Sequence, residues 1–290
     1  MMECIKMIKV GLFIPTLNAG KEFKKVLDRI NQQSGDFELR KLIIDSESSD
    51  DTVQLAQQAG FEYQTIPVQT FTHGKVRHYA VEKMSDCDYI IFLTQDVYLQ
   101  KNAIANILYF IKTHHQIAIA YGRQIADVNT VGWLDALDRQ NNYPSKSAIK
   151  NWKNRRKYGL KTVFSSDAFA IYRRDVLLEL GNFPLTVNFS EDMLMAAKAV
   201  QKGYSIGYCA TAICEHNQKL NYHQLYQRYR KIGEFHHQYP WIKQKFGSAN
   251  SQGISLVIGE MKFLISRGLL YLIPSLVIRS GIKYIGYKLG

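Results

Sequence analysis

The chain has 290 residues, of which 46% are apolar and 21% are charged. This composition excludes a disordered or collagen-like chain, and the length fits one large domain or one domain with a small appendage. The formal net charge of +12 predicts an anionic partner, without deciding between nucleic acid, a membrane surface and a phosphorylated substrate.

The positive charge is concentrated in two segments. Residues 219–290 contain eleven Lys or Arg and two acids, a net charge of +9, and residues 139–161 contain eight Lys or Arg and no acid. The rest of the chain therefore has a net charge of −5. We expect a slightly acidic body with two basic segments attached to it.

Four cysteines occur in the chain, and none of them forms a C-x-x-C pair. Their spacing suits neither a zinc site nor a disulfide framework, so it predicts free thiols in a reducing cytoplasm. The N-terminus leads directly into an apolar run and lacks the features of a signal peptide. The four cysteines are Cys4, Cys87, Cys209 and Cys214.

The first hundred or so residues alternate short apolar runs with helical patterns. This β-α-β order predicts a mostly parallel sheet with helices on both faces. Such sheets bind ligands beyond the carboxyl ends of their strands, so the tips at 15–18, 45–51 and 94–96 are predicted to converge on one site. Strands are predicted at 10–15, 41–44, 61–66 and 89–93, and helices at 21–33, 51–59 and 75–84.

The second half is less regular. We expect one α/β catalytic domain over residues 1–216, followed by a basic, amphipathic helical region over 217–290. Residues 142–161 are predicted to form a loop or a short helix pair. Strands are predicted at 118–122 and 205–208, and helices at 131–141, 174–180, 191–202 and 220–238.

The C-terminal tail contains two apolar segments, 254–265 and 269–278, that are interrupted by charged residues, Gly and Pro. Neither reaches the ~18 uninterrupted apolar residues of a membrane span. Interleaved basic residues predict helices lying in the interface of an anionic membrane, and the alternative is a helix pair packed on the core. These basic residues are Lys262, Arg267, Arg279, Lys283 and Lys288.

Seven short motifs follow one another along residues 45–196. They are DSESSDDT at 45–52, FTHGKVRH at 71–78, FLTQD at 92–96, YGRQ at 121–124, NYP at 142–144, YRRDVL at 172–177 and FSEDMLMA at 189–196. In this order and spacing, the chain resembles glycosyltransferase family 2, and in particular its bacterial rhamnosyltransferase branch, over about residues 8–235. The resemblance implies the Rossmann-like GT-A fold and transfer of a sugar from a nucleotide donor, expected to be dTDP-β-L-rhamnose.

The resemblance places the nucleotide at the first two strand tips. The carboxylate of Asp45 is expected to accept a hydrogen bond from the N3–H group of a pyrimidine base. The residues alone leave open that Asp45 instead caps a turn or a helix. Pro15, Thr16 and Asn18 are expected to line the same pocket.

The third strand tip has one carboxylate where most of the family has Asp-x-Asp. Asp96 is expected to bind Mg²⁺ or Mn²⁺, which would bridge to the diphosphate of the donor. Gln95 precedes it in the nucleotide-sugar site. His216 is a second candidate metal ligand, and a hydrogen-bonded histidine at the sheet edge is the alternative.

Basic side chains are expected around the diphosphate and the acceptor. Arg77 matches the family arginine that approaches the base and the phosphates, and His73 lies at the predicted start of the same helix, where an anion is favoured. Arg228 and Arg230 belong to a Gln-x-x-Arg-like sequence and are expected to contact the diphosphate or the acceptor. The alternative is that these residues form exposed basic surface.

Glu191 and Asp192 open an amphipathic helix, where acids also complement the helix dipole. By resemblance, Asp192 is the catalytic base and Glu191 orients a neighbour or binds the acceptor. An acceptor hydroxyl is a poor nucleophile until a base removes its proton. The expected reaction is therefore direct displacement with inversion, which gives an α-L-rhamnoside from dTDP-β-L-rhamnose.

The expected acceptor is a growing, lipid-linked polysaccharide, with the enzyme peripheral on the inner face of the plasma membrane. A UDP-linked donor is one alternative. A sugar nucleotidyltransferase is a second, although residues 15–21 lack the Gly-rich loop of those enzymes. Nucleic-acid binding is disfavoured because acids at the strand tips would repel phosphate; these acids are Asp45, Asp50, Asp51 and Asp96.

Overall fold

The computed structural model describes residues 7–247 and 250–290. Cys4 and the N-terminal stretch considered above therefore lie outside the described residues. Strands and helices alternate through most of the chain. The strands are β1 (Ile8–Thr16), β2 (Phe37–Asp45), β3 (Glu62–Thr65), β4 (Tyr89–Leu93), β5 (Tyr98–Leu99), β6 (Ile117–Ile125), β7 (Ala148–Lys150), β8 (Phe169–Arg173) and β9 (Ser205–Glu215).

Helices cover both faces of the sheet and form the C-terminal region. Short 3₁₀ segments lie at Val68–Thr70, Gly159–Val163 and Leu270–Leu272. The α-helices are α1 (Phe23–Asn31), α2 (Thr52–Gln58), α3 (His73–Lys83), α4 (Ala103–Thr113), α5 (Val128–Val131), α6 (Trp133–Asn142), α7 (Arg155–Tyr158), α8 (Arg174–Glu179), α9 (Glu191–Gln201), α10 (Tyr222–Gln238), α11 (Pro240–Phe246), α12 (Asn250–Ser266) and α13 (Ile273–Leu289).

The described strands form one sheet in the order β3-β2-β1-β4-β8-β6-β9-β5, and β7 pairs with β9. Strands β1 to β4 are mutually parallel, as predicted. Strand β8 runs antiparallel between β4 and β6, and β5 and β7 both pair antiparallel with β9. The sheet is therefore mixed, with a parallel half that carries the first three tips.

Side chains of the parallel strands alternate between two apolar cores. In β2, Leu42 and Ile44 pack on the face covered by α3, α8 and α9, and Ile43 packs on the face covered by α1, α2 and α4. Both faces are buried, which explains why these strands are almost continuously apolar in the sequence. The β1–β2 register pairs Thr16 with Asp45 and so brings the first two tips together.

Several elements differ from their predicted form. Helix α4 was not predicted, and the segment predicted as a loop or a short helix pair at 142–161 contains strand β7, the short helix α7 and the start of a 3₁₀ segment. The helix predicted at 131–141 corresponds to α6, which begins at Trp133 because Gly132, with a positive φ of 84°, separates it from the short helix α5. Strand β7 is three residues long, which is too short to show a period of two in the sequence.

The C-terminal helices pack on the body of the protein. Leu137 of α6 joins Leu264 of α12 and Leu276 of α13 in a small apolar core. Helices α10 and α13 cross closely at two glycines: a Cβ atom on Gly233 would lie 2.4 Å from a backbone oxygen of α13, and one on Gly286 would lie 2.8 Å from a backbone oxygen of α10. Only glycine permits this approach of the two backbones.

Ion pairs reinforce this packing. Arg279 of α13 is buried and pairs with Asp135 of α6, and Lys283 donates to Asp138 at 2.7 Å. Asn141 donates to Glu260 of α12 at 2.8 Å. Two of the five interleaved basic residues of the tail therefore face the protein. Across the part of the chain that is described, no helix is long and apolar enough to span a bilayer.

Candidate active site

The three tips of the parallel strands converge, as the topology predicted. The amide of Gln95, after β4, accepts from the backbone nitrogen of Leu17 at 2.9 Å and donates to the oxygen of Leu17 at 3.1 Å. The backbone nitrogen of Asn18 donates to Ser48 Oγ at 2.8 Å. We call the carboxyl edge formed by these tips, the N-termini of α3 and α9, and the end of β9 the edge site.

Asp45 is 1% exposed, and its carboxylate is already hydrogen-bonded by the protein. Oδ1 accepts from the hydroxyls of Thr16 at 2.8 Å and Ser48 at 2.6 Å, and Oδ2 accepts from the backbone nitrogen of Ser48 at 2.8 Å. These bonds fix the β1 and β2 tips relative to each other. Pro15 lies beside them, half-buried. The predicted contact of Asp45 with a base stays a prediction.

Ser46, the next residue, was not singled out from the sequence. It is 2% exposed, and its hydroxyl has no hydrogen-bond partner in the described structure. Continuing the alternation of β2 puts Ser46 on the face of Leu42 and Ile44, which is the face of α3 and α9. A buried hydroxyl without a partner costs free energy.

Asp96 and His216, the two predicted metal ligands, are adjacent: Oδ2 of Asp96 lies 3.2 Å from Nε2 of His216. Burial raises the pKa of Asp96, but the hydrogen bond and charge of His216 outweigh it and hold the pKa at about 2. Burial lowers the pKa of His216. Within residues 7–247 and 250–290, no three His, Cys, Asp or Glu side chains cluster as a metal-binding group.

Gln124 and Arg139 surround the other side of His216. Nδ1 of His216 lies 2.9 Å from Oε1 of Gln124 and 3.1 Å from Nη1 of Arg139. Arginine can only donate, so beside Arg139 the Nδ1 atom of a neutral His216 accepts and the proton lies on Nε2, facing Asp96. Binding of a cation at Nε2 therefore requires the proton to move to Nδ1, where Oε1 of Gln124 can accept it. The two residues thus fit a divalent cation that takes its remaining ligands from a diphosphate and water.

The N-terminus of α3 is fixed to the loop that leads to α9. Thr72 caps α3 by accepting from the backbone nitrogen of Lys75 at 3.0 Å, and its hydroxyl donates to the oxygen of Leu185 at 2.6 Å. A Cβ atom on Gly74 would lie 2.0 Å from the oxygen of Pro184. The small residue after His73 therefore lets α3 approach this loop.

Arg77 is 3% exposed and faces carboxylates inside the protein. Nε donates to Asp167 at 2.8 Å, and Nη1 lies 3.2 Å from Glu191. Nη1 also donates to Nδ1 of His73 at 3.2 Å. Tyr172 completes the network by donating its hydroxyl to Asp167 at 2.7 Å. The predicted contact of Arg77 with the nucleotide stays a prediction.

Asp192 stands next to this network at the start of α9. It is partly exposed, and its Oδ2 accepts a long hydrogen bond of 3.4 Å from the backbone nitrogen of Asp167. Burial, together with the nearby charges of Asp167 and Glu191, raises the pKa of Asp192 well above its ordinary value. The residue before α9, Ser190, has a positive φ of 56°, a strained conformation of the kind found at functional sites.

The basic residues of α10 point in different directions. Arg228 donates to Gln218, two residues after His216, at 3.3 Å, and its charge contributes to lowering the pKa of His216. The ammonium group of Lys231 lies 5.9 Å from the ring centre of Phe189, and its charge contributes to lowering the pKa of His73. Arg230 instead pairs with Glu234 at 3.1 Å on the exposed surface of α10.

Sequence reasoning missed several residues of the site, among them Ser46, Gln124, Arg139 and Asp167. Gln124 ends the YGRQ motif, and Asp167 precedes β8, so their positions in or near motifs were the available signal. Their partners lie far away in sequence, since Asp167 and Arg77 are 90 residues apart. No local pattern identifies such a pair.

Comparisons with known proteins identify the family of this chain. A family model described as glycosyl transferase family 2 matches residues 12–181. The O-antigen chain rhamnosyltransferase RfbN of Salmonella typhimurium is 41% identical to this chain over 287 residues, which cover 98% of this chain and 90% of RfbN. The family match alone spans more than half of the chain.

Solved structures share the fold at low sequence identity. TarS 1–349 of S. aureus in complex with UDP-GlcNAc has a TM-score of 0.60 and 17% identity, and the match covers 97% of this chain and 90% of that one. The mannosyltransferase PcManGT of Pyrobaculum calidifontis in complex with GDP-Man and Mn²⁺ has a TM-score of 0.60 and 13% identity, covering 96% and 86%. These likenesses show the GT-A fold.

Proposed function

The chain belongs to glycosyltransferase family 2, and from that premise we propose that it transfers L-rhamnose from dTDP-β-L-rhamnose to a lipid-linked glycan with inversion. The choice of sugar is supported by RfbN, which is named a rhamnosyltransferase of the O-antigen chain. A UDP-linked donor is the second candidate, because TarS was solved with UDP-GlcNAc on the same fold.

The observation that carries the proposal is an excess of carboxylate at the start of α9. Asp167 and Glu191 pair with one buried cation, Arg77, and Asp192 accepts from the backbone of Asp167 beside them. The raised pKa of Asp192 suits a general base, because a stronger base removes a hydroxyl proton more readily. Asp192 is partly exposed, so an acceptor hydroxyl can reach it.

In the proposed reaction, Asp192 takes the proton of the acceptor hydroxyl as that oxygen bonds to the anomeric carbon. The bond between the anomeric carbon and the donor diphosphate breaks on the opposite face, and the diphosphate leaves with the bonding electron pair. Arg139 and Arg228, at the Asp96 end of the site, would stabilise the negative charge that develops there.

A divalent cation fits the same end of the site. Asp96 Oδ2 and His216 Nε2 would hold it, with Gln124 fixing the imidazole through Nδ1. When bound, Mg²⁺ or Mn²⁺ neutralises charge on the leaving diphosphate. The Mn²⁺ in the PcManGT complex supports this proposal on the level of the fold.

The nucleotide is proposed to lie against the β1 and β2 tips. Asp45 holds Thr16 and Ser48 in place, while Asn18 accepts from the backbone of Ser49 at 2.8 Å. The hydroxyl of Ser46 is buried without a partner and supplies a group that can pair with a polar edge of the base. We therefore propose that Asp45 shapes the base pocket and Ser46 contributes a direct contact.

The test is Asp192→Asn, assayed as dTDP release from dTDP-β-L-rhamnose with a panel of synthetic lipid-diphosphate monosaccharides. Loss of the base should lower turnover by ~10²–10⁴-fold while thermal stabilisation by the donor is retained. The control is Asp36→Asn, at an exposed position before β2, which should leave turnover unchanged. Wild-type turnover in Asp192→Asn would refute the assignment, and stabilisation by UDP-sugars in preference to dTDP-rhamnose would refute the donor.

We also propose that the tail contacts an anionic membrane. The outward face of α13 is a continuous apolar stripe at helical spacing, opposite the inward face that carries Arg279 and Gly286. The tail also has exposed basic residues, Lys262, Arg267 and Lys288. It therefore offers both contributions to binding at a membrane interface, apolar surface and positive charge. The stripe consists of Val277, Ile278, Tyr284, Ile285 and Leu289, each more than half exposed.

A further inference from the structure

One residue at the centre of the buried network, Asp167, has no role in the reaction proposed above. Its carboxylate accepts from Tyr172 on one oxygen and from Arg77 on the other, at 2.7 and 2.8 Å. Its backbone nitrogen is the group that donates to Asp192. Asp167 therefore contacts the proposed base and also the cation that engages Glu191.

The segment that carries Asp167 also connects the two ends of the edge site. Ser166 accepts from the side chain of Gln124 at 2.8 Å, and Gln124 faces His216. The oxygen of Ala168 accepts from the backbone nitrogen of Thr94, just after β4, at 3.4 Å. The contacts with the diphosphate end are therefore made by the neighbours of Asp167, whereas the side-chain contacts of Asp167 itself lie at the base end.

We propose that Asp167 is a positioning residue for Asp192: it holds the Arg77 guanidinium against Glu191, balances the charge of that guanidinium, and so keeps Asp192 basic. The inference rests on the proposed function, since it assumes that Asp192 is the base. Asp167 touches neither the donor nor the acceptor in this scheme. It acts through the orientation and charge of the groups around Asp192.

The charges around Asp192 support this role. Arg77 comes from α3, Tyr172 from β8 and Glu191 from α9, and His73 lies on the α3 side with a pKa lowered to about 4, mainly by burial, so it is neutral near pH 7. The charge of Lys231, on α10, also lowers the pKa of His73. Without Asp167, the Arg77 charge would be less balanced and would stabilise the Asp192 carboxylate, which makes it a weaker base.

The same network fixes the tautomer of His73. Arg77 can only donate hydrogen bonds, so Nδ1 of a neutral His73 must accept, and the proton resides on Nε2. His73 therefore offers one N–H donor on its outer side. By holding Arg77 in place, Asp167 also holds this donor at the start of α3.

The experiment compares Asp167→Asn with wild type in kcat against pH, using dTDP release with an accepted member of the acceptor panel. Removing one negative charge near Asp192 should move the acidic limb of the kcat–pH profile about one unit to lower pH. The weaker base should reduce kcat roughly tenfold. The donor KM should be unchanged. Asp36→Asn should reproduce the wild-type profile. Asp167→Glu keeps the charge and should keep the limb at its wild-type position.

Tyr172→Phe is the second variant, in case Asp167→Asn does not fold. Loss of the tyrosine hydroxyl removes a donor that lowers the pKa of Asp167, so Asp167 carries less charge and the limb should move in the same direction by a smaller amount. A uniform loss of kcat with an unmoved limb in the folded variants would overturn the inference. If Asp192→Asn is inactive but the acidic limb of Asp167→Asn does not move, only this inference fails. If Asp192→Asn is fully active, the proposed function itself fails.

Discussion

Two clusters of buried charge in this protein differ in how completely their charges are matched. In the edge site, Asp167 and Glu191 share one cation, Arg77, and a third carboxylate, Asp192, lies beside Asp167. Between α6, α12 and α13, Arg279 pairs with Asp135 and Lys283 pairs with Asp138, and the third carboxylate, Glu260, accepts a hydrogen bond from Asn141. Both clusters join distant parts of the chain, but in the second each aspartate has a cation of its own.

This difference distinguishes a cluster that stabilises the fold from one that can take part in the proposed reaction. Carboxylates that are occupied by ion pairs with neighbouring helices hold those helices together and are not available to a substrate. Asp192 has a raised pKa and is partly exposed, and these are the properties that a general base needs. The tail nevertheless supports the site, because α13 packs on α10, the helix that carries Arg228 and Lys231.

The largest effect on stability is expected from breaking the matched cluster. Arg279→Met leaves Asp135 and Asp138 without this partner, and removal of one member of a buried ion pair costs about 3–5 kcal/mol. Urea unfolding followed by circular dichroism measures the loss. The control is Arg267→Met, since Arg267 is exposed. Equal stability of the two variants would show that the α6–α13 pairs do not hold the tail.

A second substitution tests metal binding at the diphosphate end of the edge site. Gln124→Leu removes the acceptor beside Nδ1 of His216, and loss of such an orienting partner typically weakens metal binding about 10–100-fold. Calorimetric titration of Mn²⁺ into the protein saturated with dTDP measures this affinity. Undiminished Mn²⁺ affinity in the variant would exclude His216 Nε2 as a ligand held by Gln124.

A third change tests the outward face of the tail, opposite the matched pairs. Val277→Ser with Ile285→Ser removes exposed apolar surface without touching Arg279 or Lys283. At roughly 25 cal/mol per Å² of apolar area, binding to anionic vesicles should fall about tenfold or more. Co-flotation with phosphatidylglycerol vesicles measures this. Truncation of the tail would be a poorer test, because it would also remove the ion pairs with α6.

Flotation equal to wild type in this double variant would rule out the stripe as the membrane contact. The matched control is Tyr109→Ser, at an exposed aromatic position on α4, which should float like wild type. A loss of flotation in both variants would indicate binding that is not confined to the tail.

The smallest effect is expected from Ser46→Ala. Its hydroxyl has no partner in the protein, so the variant should be as stable as wild type or slightly more stable. If the hydroxyl bonds to the base, the Kd for dTDP should rise about 2–10-fold, which corresponds to one hydrogen bond. Ser34→Ala, at an exposed position far from the edge site, is the control. An unchanged Kd for dTDP would place the base elsewhere.

Much of the parallel half could be predicted from the sequence, because continuous apolar runs separated by helical patterns permit few arrangements. Strand β4 begins and ends at its predicted residues, Tyr89 and Leu93. The convergence of the tips followed from that topology alone. Strand β7 escaped prediction because its three residues, Ala148–Lys150, are defined by pairing with β9 and not by a local pattern.

The charge clusters were beyond sequence reasoning for the same reason. Arg279 and Lys283 were read as basic residues for a membrane, but their partners on α6 lie 144 and 145 residues away. Asp167 was not singled out, although its contact with Arg77 explains why that arginine is buried. Motifs thus located Asp192, and only the three-dimensional structure showed what surrounds it.

The central claim is that Asp192 activates the acceptor for a single displacement at the anomeric carbon. The most direct test is the anomeric configuration of the product formed from dTDP-β-L-rhamnose and an accepted lipid-diphosphate monosaccharide, measured by the one-bond carbon–proton coupling in NMR. The account predicts an α-L-rhamnoside. A β-L-rhamnoside would show retention of configuration and contradict direct displacement by a hydroxyl that Asp192 deprotonates.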